Sequence, residues 1–192
     1  IGSSNIEVNK IGLLYGDYTD YLCFAHLSDA HGVDFAGRTV LILGTGGTHN
    51  TTSAVARDKG AARVLTVSRT PDAAKGQLSY EEAVFSGAQI VINTTPAGMY
   101  PNEGVCRLDV AAMPGLEAVL DVVYNPDKTE LILRAEEAEV PVAVGGLEML
   151  VAQAVYAAEC FLDRKFDAAP GEIRAITAAL RREQLNVALI GM

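Results

Sequence analysis

The 192-residue chain has little that would tie it to a membrane or to nucleic acid. No apolar run approaches the length needed to span a bilayer, and the opening residues show no basic stretch followed by an apolar core. Positive charge is scarce, with 15 Lys and Arg against 24 Asp and Glu and a formal net charge of -9. A binder of phosphate backbones needs a basic face, so nucleic acid is excluded as a partner. Cysteine is sparse too. Cys23, Cys106 and Cys160 are odd in number and far apart, and read as reduced thiols of a cytoplasmic protein. His26, His31 and His49 show neither HxH nor HExxH spacing, so no metal is expected. Internal repeats and low-complexity tracts are also missing. The 49% hydrophobic content excludes a disordered chain. Both ends read as cut: Ile1 opens without Met, and the apolar run Asn186-Val187-Ala188-Leu189-Ile190-Gly191-Met192 looks like a strand leading onward. The chain is therefore expected to be a fragment of a longer protein.

What is present is an alternation of short apolar strands with helices. Strands are expected at 40–43, 63–67, 89–93, 119–123 and 141–144, with a further short one at 77–79. Helices are expected over 19–31, 48–59, 80–86, 129–137, 148–162 and 171–184, with 11–24 a turn-rich lead-in to the first. This order predicts an α/β fold, a doubly wound, mainly parallel Rossmann-type sheet with flanking helices. Its first strand breaks into Gly44-Thr45-Gly46-Gly47-Thr48, where Gly44 lets the chain turn and a helix N-terminus follows. Such a turn either receives a pyrophosphate on free N–H groups or simply joins strand to helix. The third glycine of the usual fingerprint is missing, and His49 stands there. His49 has two expected fates, a pyrophosphate contact or a pKa lowered by the helix dipole.

The end of the second strand decides between cofactors, because an acid there holds the ribose 2′-OH of NAD and a base accepts the 2′-phosphate of NADP. Here the strand ends in Ser68-Arg69-Thr70, with no acid before Asp72. Arg69 offers a planar fork to a phosphate and its neighbours offer hydroxyls, against the plainer alternative of a solvated Arg. Asn93-Thr94-Thr95-Pro96-Ala97-Gly98-Met99 follows another strand on the same edge, where Thr94 and Thr95 either meet a ligand or make an ordinary turn. Asp17-Tyr18-Thr19-Asp20 holds more carboxylate than a helix cap requires. Gly145-Gly146 opens the helix carrying Met149 and Gln153, which share nearly one face. The paired glycines suggest that the backbone at Gly146 closely approaches a ligand.

Taken in order, these segments resemble the shikimate dehydrogenase family over 1 to about 162. The resemblance is carried by Ile1-Gly2-Ser3-Ser4-Asn5, Gly16-Asp17-Tyr18-Thr19-Asp20, the Gly44 loop, Ser68-Arg69-Thr70, the run from Asn93 to Met99, Tyr124-Asn125-Pro126, and Gly146 through Gln153. It implies NADPH-dependent reduction of 3-dehydroshikimate to shikimate, in the route to aromatic amino acids, in a cleft between a substrate domain and a Rossmann domain. It further implies that Asn5, Asp20, Tyr124 and Gln153 bind substrate, with Asp20 also catalytic beside a Lys. Gly44, Thr45, Gly46, Gly47 and Thr48 would hold the pyrophosphate. Ser68, Arg69 and Thr70 would hold the 2′-phosphate, and Val122, Gly146 and Met149 would line the nicotinamide.

Departures from the family pattern are Tyr18 and Ser68 where Asn is usual, and Ile6 where Thr is usual. A basic residue often found after the Arg-Thr pair is replaced by Pro71-Asp72-Ala73, leaving Arg69 as the main discriminator and Lys75 as a distant helper. The resemblance implies a domain remnant at 1–24, an NADP-binding domain at 25–162, and a further helix and strand at 163–192. That strand resembles the opening strand of a shikimate kinase, which would make the parent a fusion. The catalytic Lys would lie in the missing N-terminal portion, so the fragment is expected to bind NADP but to be inactive alone. A general acid must sit within hydrogen-bond reach of the forming alkoxide. Two alternatives stand beside this reading: a quinate/shikimate dehydrogenase using NAD, and a non-catalytic nucleotide-binding module. A homodimer is a further expectation.

Overall fold

In the computed structural model the described residues are 6–10, 13–17, 19–166 and 169–190, with backbone alone for the first two segments and for 184–190. Five parallel strands form one sheet: β3 (Thr39–Leu43), β4 (Arg63–Val67), β5 (Ile90–Asn93), β6 (Ala118–Asp121) and β7 (Val142–Val144), in the order β4-β3-β5-β6-β7. An antiparallel hairpin, β1 (Ile6–Lys10) with β2 (Leu13–Asp17), precedes it. Around the sheet lie α1 (Thr19–Ala30), α2 (Gly47–Asp58), α3 (Tyr80–Ala83), α4 (Glu130–Glu137), α5 (Leu147–Leu162) and α6 (Ala169–Ile190).

The strands are apolar almost without interruption because helices cover both faces of the sheet. On one face Phe24 and Leu27 of α1, Val55 of α2 and Val151 of α5 close over Val40, Ile42, Ile92 and Leu120. On the other, Ala83 of α3 and Leu131 and Ile132 of α4 cover Leu41, Leu43, Val91 and Val119. Burial on this scale stabilises by roughly 25 cal/mol per Å² of apolar surface removed from water.

Register then aligns the functional edge. Leu43 is paired with both Val67 and Asn93, and Asn93 with Asp121. Gly44, Ser68, Thr94 and Val122 therefore leave the sheet side by side. β4 is added on one side of β3 and β5 on the other, so the winding of the sheet reverses there and leaves the crevice where open α/β sheets take ligands. The expected strand at 77–79 shrinks to one parallel bridge, Val67 to Leu78, on the outer side of β4. Counting that rung, the order is the six-strand Rossmann order with its third strand reduced to a single residue.

Three expectations change. Residues 13–17, expected within the turn-rich lead-in of 11–24, form β2 and pair antiparallel with β1. The boundary expected between 24 and 25 falls inside α1, whose Cys23, Phe24 and Leu27 all sit in the core. The strand expected at 186–192 is helical through Ile190, with 191 and 192 outside the described residues. Between Gly171 and Gly191 there is neither Gly nor Pro to end the helix, so an apolar run at its end simply continues it. With the strand goes the feature that pointed to a kinase fusion. Instead, α6 docks on the same body through Ile173, which is fully buried, and through Arg181, whose Nε lies 3.0 Å from Asp127 Oδ2.

Candidate functional site

The turn after β3 is built around Gly44, at φ +104, where a Cβ would lie 2.9 Å from Thr95 Cγ2 and 3.0 Å from Thr94 Oγ1. Its N–H donates to Val67 O at 2.9 Å, fastening the turn to β4. Gly46 caps α2 without any side-chain hydrogen bond, leaving the first-turn N–H groups open to a ligand. A Cβ on Gly46 or Gly47 would meet nothing within 4 Å. Among the described residues, the space in front of this helix start is therefore free.

That space opens into a cavity of about 560 Å³ lined by Gly44, Thr45, Gly46, Ser68, Arg69, Thr70, Thr94 and Thr95, all expected at the cofactor. Val67, Pro96 and Ala97 line it as well, and so do Tyr80, Asn102, Val105 and Arg107, which had not been expected there. The threonine loop is internally bonded. Thr94 Oγ1 donates to Leu43 O at 2.6 Å, and Thr95 Oγ1 donates to Asn93 Oδ1 at 2.7 Å. Both hydroxyls are thus spent as donors and face the cavity as acceptors or as shape.

A second cavity of about 160 Å³ lies across the start of α2, lined by Asp20, Thr48, Val122, Tyr124, Gly146, Met149, Leu150 and Gln153. Six of these were expected at the nicotinamide or substrate. Thr48 was expected with the pyrophosphate and faces this smaller space instead, while Gly47 lines neither cavity. Gln153 Nε2 donates to Asp20 Oδ1, joining α5 to α1 at the rim. Asn5 and Tyr18 lie outside the described residues.

One further expectation is corrected. His49 does not face the pyrophosphate position, because its Nε2 is 2.8 Å from Thr66 Oγ1 and ties α2 to β4. Gly145 and Gly146 are both required by close protein backbone, and Gly146 also lines the smaller cavity. A Cβ would lie 2.1 Å from Asp127 O at Gly145 and 2.3 Å from Val122 O at Gly146.

Two buried carboxylates hold this edge in place. Asp121 is fully buried and accepts from Asn93 Nδ2 at 2.9 Å, Val123 N at 3.0 Å and Thr129 Oγ1 at 2.6 Å. Burial pushes its carboxyl up to about 6, against the pull of those three donors. Glu148, at the start of α5, has Oε2 3.0 Å from His31 Nε2 and Oε1 3.4 Å from His26 Nε2. The His31 hydrogen bond is the main cause holding its carboxyl below the usual range, with burial opposing. Among the described residues no group of His, Cys, Asp and Glu could hold a metal ion, and no helix is long and apolar enough to cross a membrane.

No protein-family model matches the chain. The shikimate dehydrogenase (NADP(+)) of Clostridium perfringens is 32% identical over 176 residues, which cover 87% of this chain and 65% of that protein. Among solved structures, a chorismate mutase/shikimate 5-dehydrogenase fusion protein from Clostridium acetobutylicum superposes with a TM-score of 0.86 at 28% identity, over 95% of this chain and 68% of that one. Over most of its length the chain is similar to shikimate dehydrogenases. A further shikimate dehydrogenase, from Thermus thermophilus in complex with NADP(H) and shikimate, gives a TM-score of 0.75 at 25% identity, over 92% of this chain and 69% of that one. The chain thus spans about two thirds of the length of the shikimate dehydrogenases it matches.

Signals for the unexpected wall residues were present in the sequence. Ser79 and Glu82 have capping-box spacing, and the reciprocal bonds of that box place Tyr80 at the first position of α3. Arg107 is the only basic residue between Lys75 and Lys128.

Proposed function

We propose that this chain is the cofactor-binding part of an NADP-dependent shikimate dehydrogenase, which interconverts 3-dehydroshikimate and shikimate. The observation carrying this reading is the larger cavity, which joins an uncapped helix start at Gly46 to the guanidinium of Arg69. An adenosine 2′-phosphate at Arg69 with a pyrophosphate at Gly46 satisfies both ends. The dinucleotide then continues toward the smaller cavity, where Val122, Gly146 and Met149 form an apolar floor beside the polar rim of Asp20, Tyr124 and Gln153.

Bound NADPH would supply hydride to the substrate carbonyl. The chain's own residues orient the two partners. Ser68, Arg69 and Thr70 hold the 2′-phosphate, the α2 N-terminus holds the pyrophosphate, and Asp20 with Gln153 binds substrate hydroxyls. Asp20 would share the proton step with a Lys, as the family resemblance implies. Among lysines with described side chains, Lys59 pairs with Asp29, Lys75 with Asp72, Lys128 with Glu136 and Lys165 with Glu159. None lines the smaller cavity. The 192 residues by themselves are therefore expected to bind NADP without turning over shikimate.

Residues 1–18 with the β1–β2 hairpin belong to the substrate side in this reading, and α1 through α6 form the cofactor side. The test is cofactor affinity of Arg69→Ala. NADP should weaken by about 1.5–3 kcal/mol, the scale of a charge-assisted hydrogen bond, with NAD nearly unchanged. Equal losses for both cofactors would refute the assignment, and a preference for NAD in the unaltered chain would favour the quinate-type relative.

A further inference from the structure

The family pattern leaves a gap in this chain, since Asp72 stands near where a second base often supports Arg69. Local structure removes both nearby charges from the site. Asp72 Oδ1 accepts from Ala74 N at 3.0 Å and its Oδ2 lies 3.3 Å from Lys75 Nζ, so acid and base answer each other. Lys75, the distant helper expected from sequence, does not line the cavity. A lone exposed guanidinium against a phosphate dianion, on a protein of net charge -9, is a weak basis for choosing NADP.

The opposite wall supplies what is missing. We propose that Arg107 is the second cation of the 2′-phosphate site and that, with Arg69, it forms a two-guanidinium clamp that selects NADP over NAD. This rests on the cofactor reading above and names a specificity residue within it. Arg69 follows β4 and Arg107 lies in the loop before the short helical turn Val110–Ala112, yet both line the same cavity. They are the two charged residues of that lining, which contains no carboxylate. Neither guanidinium has a hydrogen-bond or carboxylate partner among the described residues, unlike Arg38, Arg134 and Arg181. Both are therefore unspent, and both face a space continuous with Gly44 and Gly46.

Tyr80 supports the same geometry. It lines the same cavity as the two cations; burial raises its hydroxyl, while the charges of Arg107 and Arg69 both act in the opposite direction. Its O–H is a further donor to a phosphate oxygen. The Arg107 loop is held firmly. Leu108 and Val110 are buried in the core on either side of Asp109, and Cys106 Sγ lies 3.2 Å from Leu108 O. A guanidinium on so anchored a backbone loses less freedom on binding than one on a loose loop.

The experiment compares Arg107→Ala and Arg107→Lys with the unaltered chain by titrating NADP, NAD and adenosine 2′,5′-bisphosphate, which carries the 2′-phosphate but no nicotinamide. Arg107→Ala should weaken NADP and the bisphosphate by about tenfold or more, with NAD changed less than about twofold. Arg107→Lys should restore part of the loss, and the salt dependence of NADP binding should become shallower in the Ala variant. Equal weakening of NADP and NAD would instead mean that Arg107 packs on the adenine, and would overturn the clamp. Unchanged NADP affinity in Arg107→Ala would overturn it too while leaving the cofactor reading intact. Failure of the unaltered chain to bind either NADP or the bisphosphate would overturn both.

Discussion

Gln153 on α5 donates its side-chain amide to the Asp20 carboxylate on α1, a contact between residues 133 positions apart. It joins the two helices at the mouth of the smaller cavity, so a substrate-facing carboxylate is oriented before any ligand arrives. A double-mutant cycle over Asp20→Ala and Gln153→Ala should show a coupling of about 1–2 kcal/mol in urea unfolding. Coupling near zero would mean that the two side chains are positioned independently.

Two glycines of the site should respond oppositely to one added methyl. Gly46→Ala meets open space and an ordinary backbone angle, so melting should be unchanged while NADP affinity falls. Gly146→Ala drives its Cβ into the Val122 carbonyl, so it should cost about 1–3 kcal/mol of stability with or without cofactor. Calorimetry with and without NADP separates the two, and a Gly46→Ala variant that binds NADP normally would remove the pyrophosphate from that turn.

Asp121 should give the protein an unusual pH dependence. Its folded carboxyl is raised to about 6 from a reference of 3.8, so between those values the native state holds more protons than the unfolded chain. Stability from this group is greatest at the acid end of that window and falls as pH rises through it. The stability difference between the unaltered chain and Asp121→Asn should therefore shrink from pH 4 to 6, as followed by urea midpoints. A difference independent of pH would contradict the assignment.

Glu148 has the opposite sign. Its folded carboxyl lies below the reference of 4.5, so its contribution is present above that pH and is lost on acidification through the folded value. Glu148→Gln should flatten the acid limb of the stability curve below about pH 4.5, measured by the same midpoints. A limb of unchanged steepness would show that His31 does not hold the carboxylate.

The docking of α6 is tested at Ile173, which is fully buried against the sheet-side helices. Ile173→Ala should destabilise by about 2–5 kcal/mol. A loss within experimental error would show that the helix stands away from the body.

Much of the sheet was legible because a parallel strand covered on both faces must be apolar along its length. Val40 to Leu43 and Ile90 to Asn93 stand out for that reason. The hairpin was less visible although Ile6-Glu7-Val8-Asn9 alternates, since the turn residues that follow dominated the reading. The helical end of α6 looked like a strand because the apolar run 187–190 satisfies either period when taken alone. At the site, residues next to strand ends were found from sequence because the register fixes where they emerge. Tyr80 and Arg107 were not, because they reach the cavity from a short capped turn and an irregular loop whose positions depend on packing at Leu108 and Val110.

In the floor of the smaller cavity the Gly146 backbone rests directly on the Val122 carbonyl. That junction of main chain with main chain holds the start of α5 against the end of β6 whichever side chains the 122–123 segment carries. Discrimination between one occupant and another falls instead to the half-exposed rings and branches above it, Tyr124 and Leu150, which can change without disturbing the foundation.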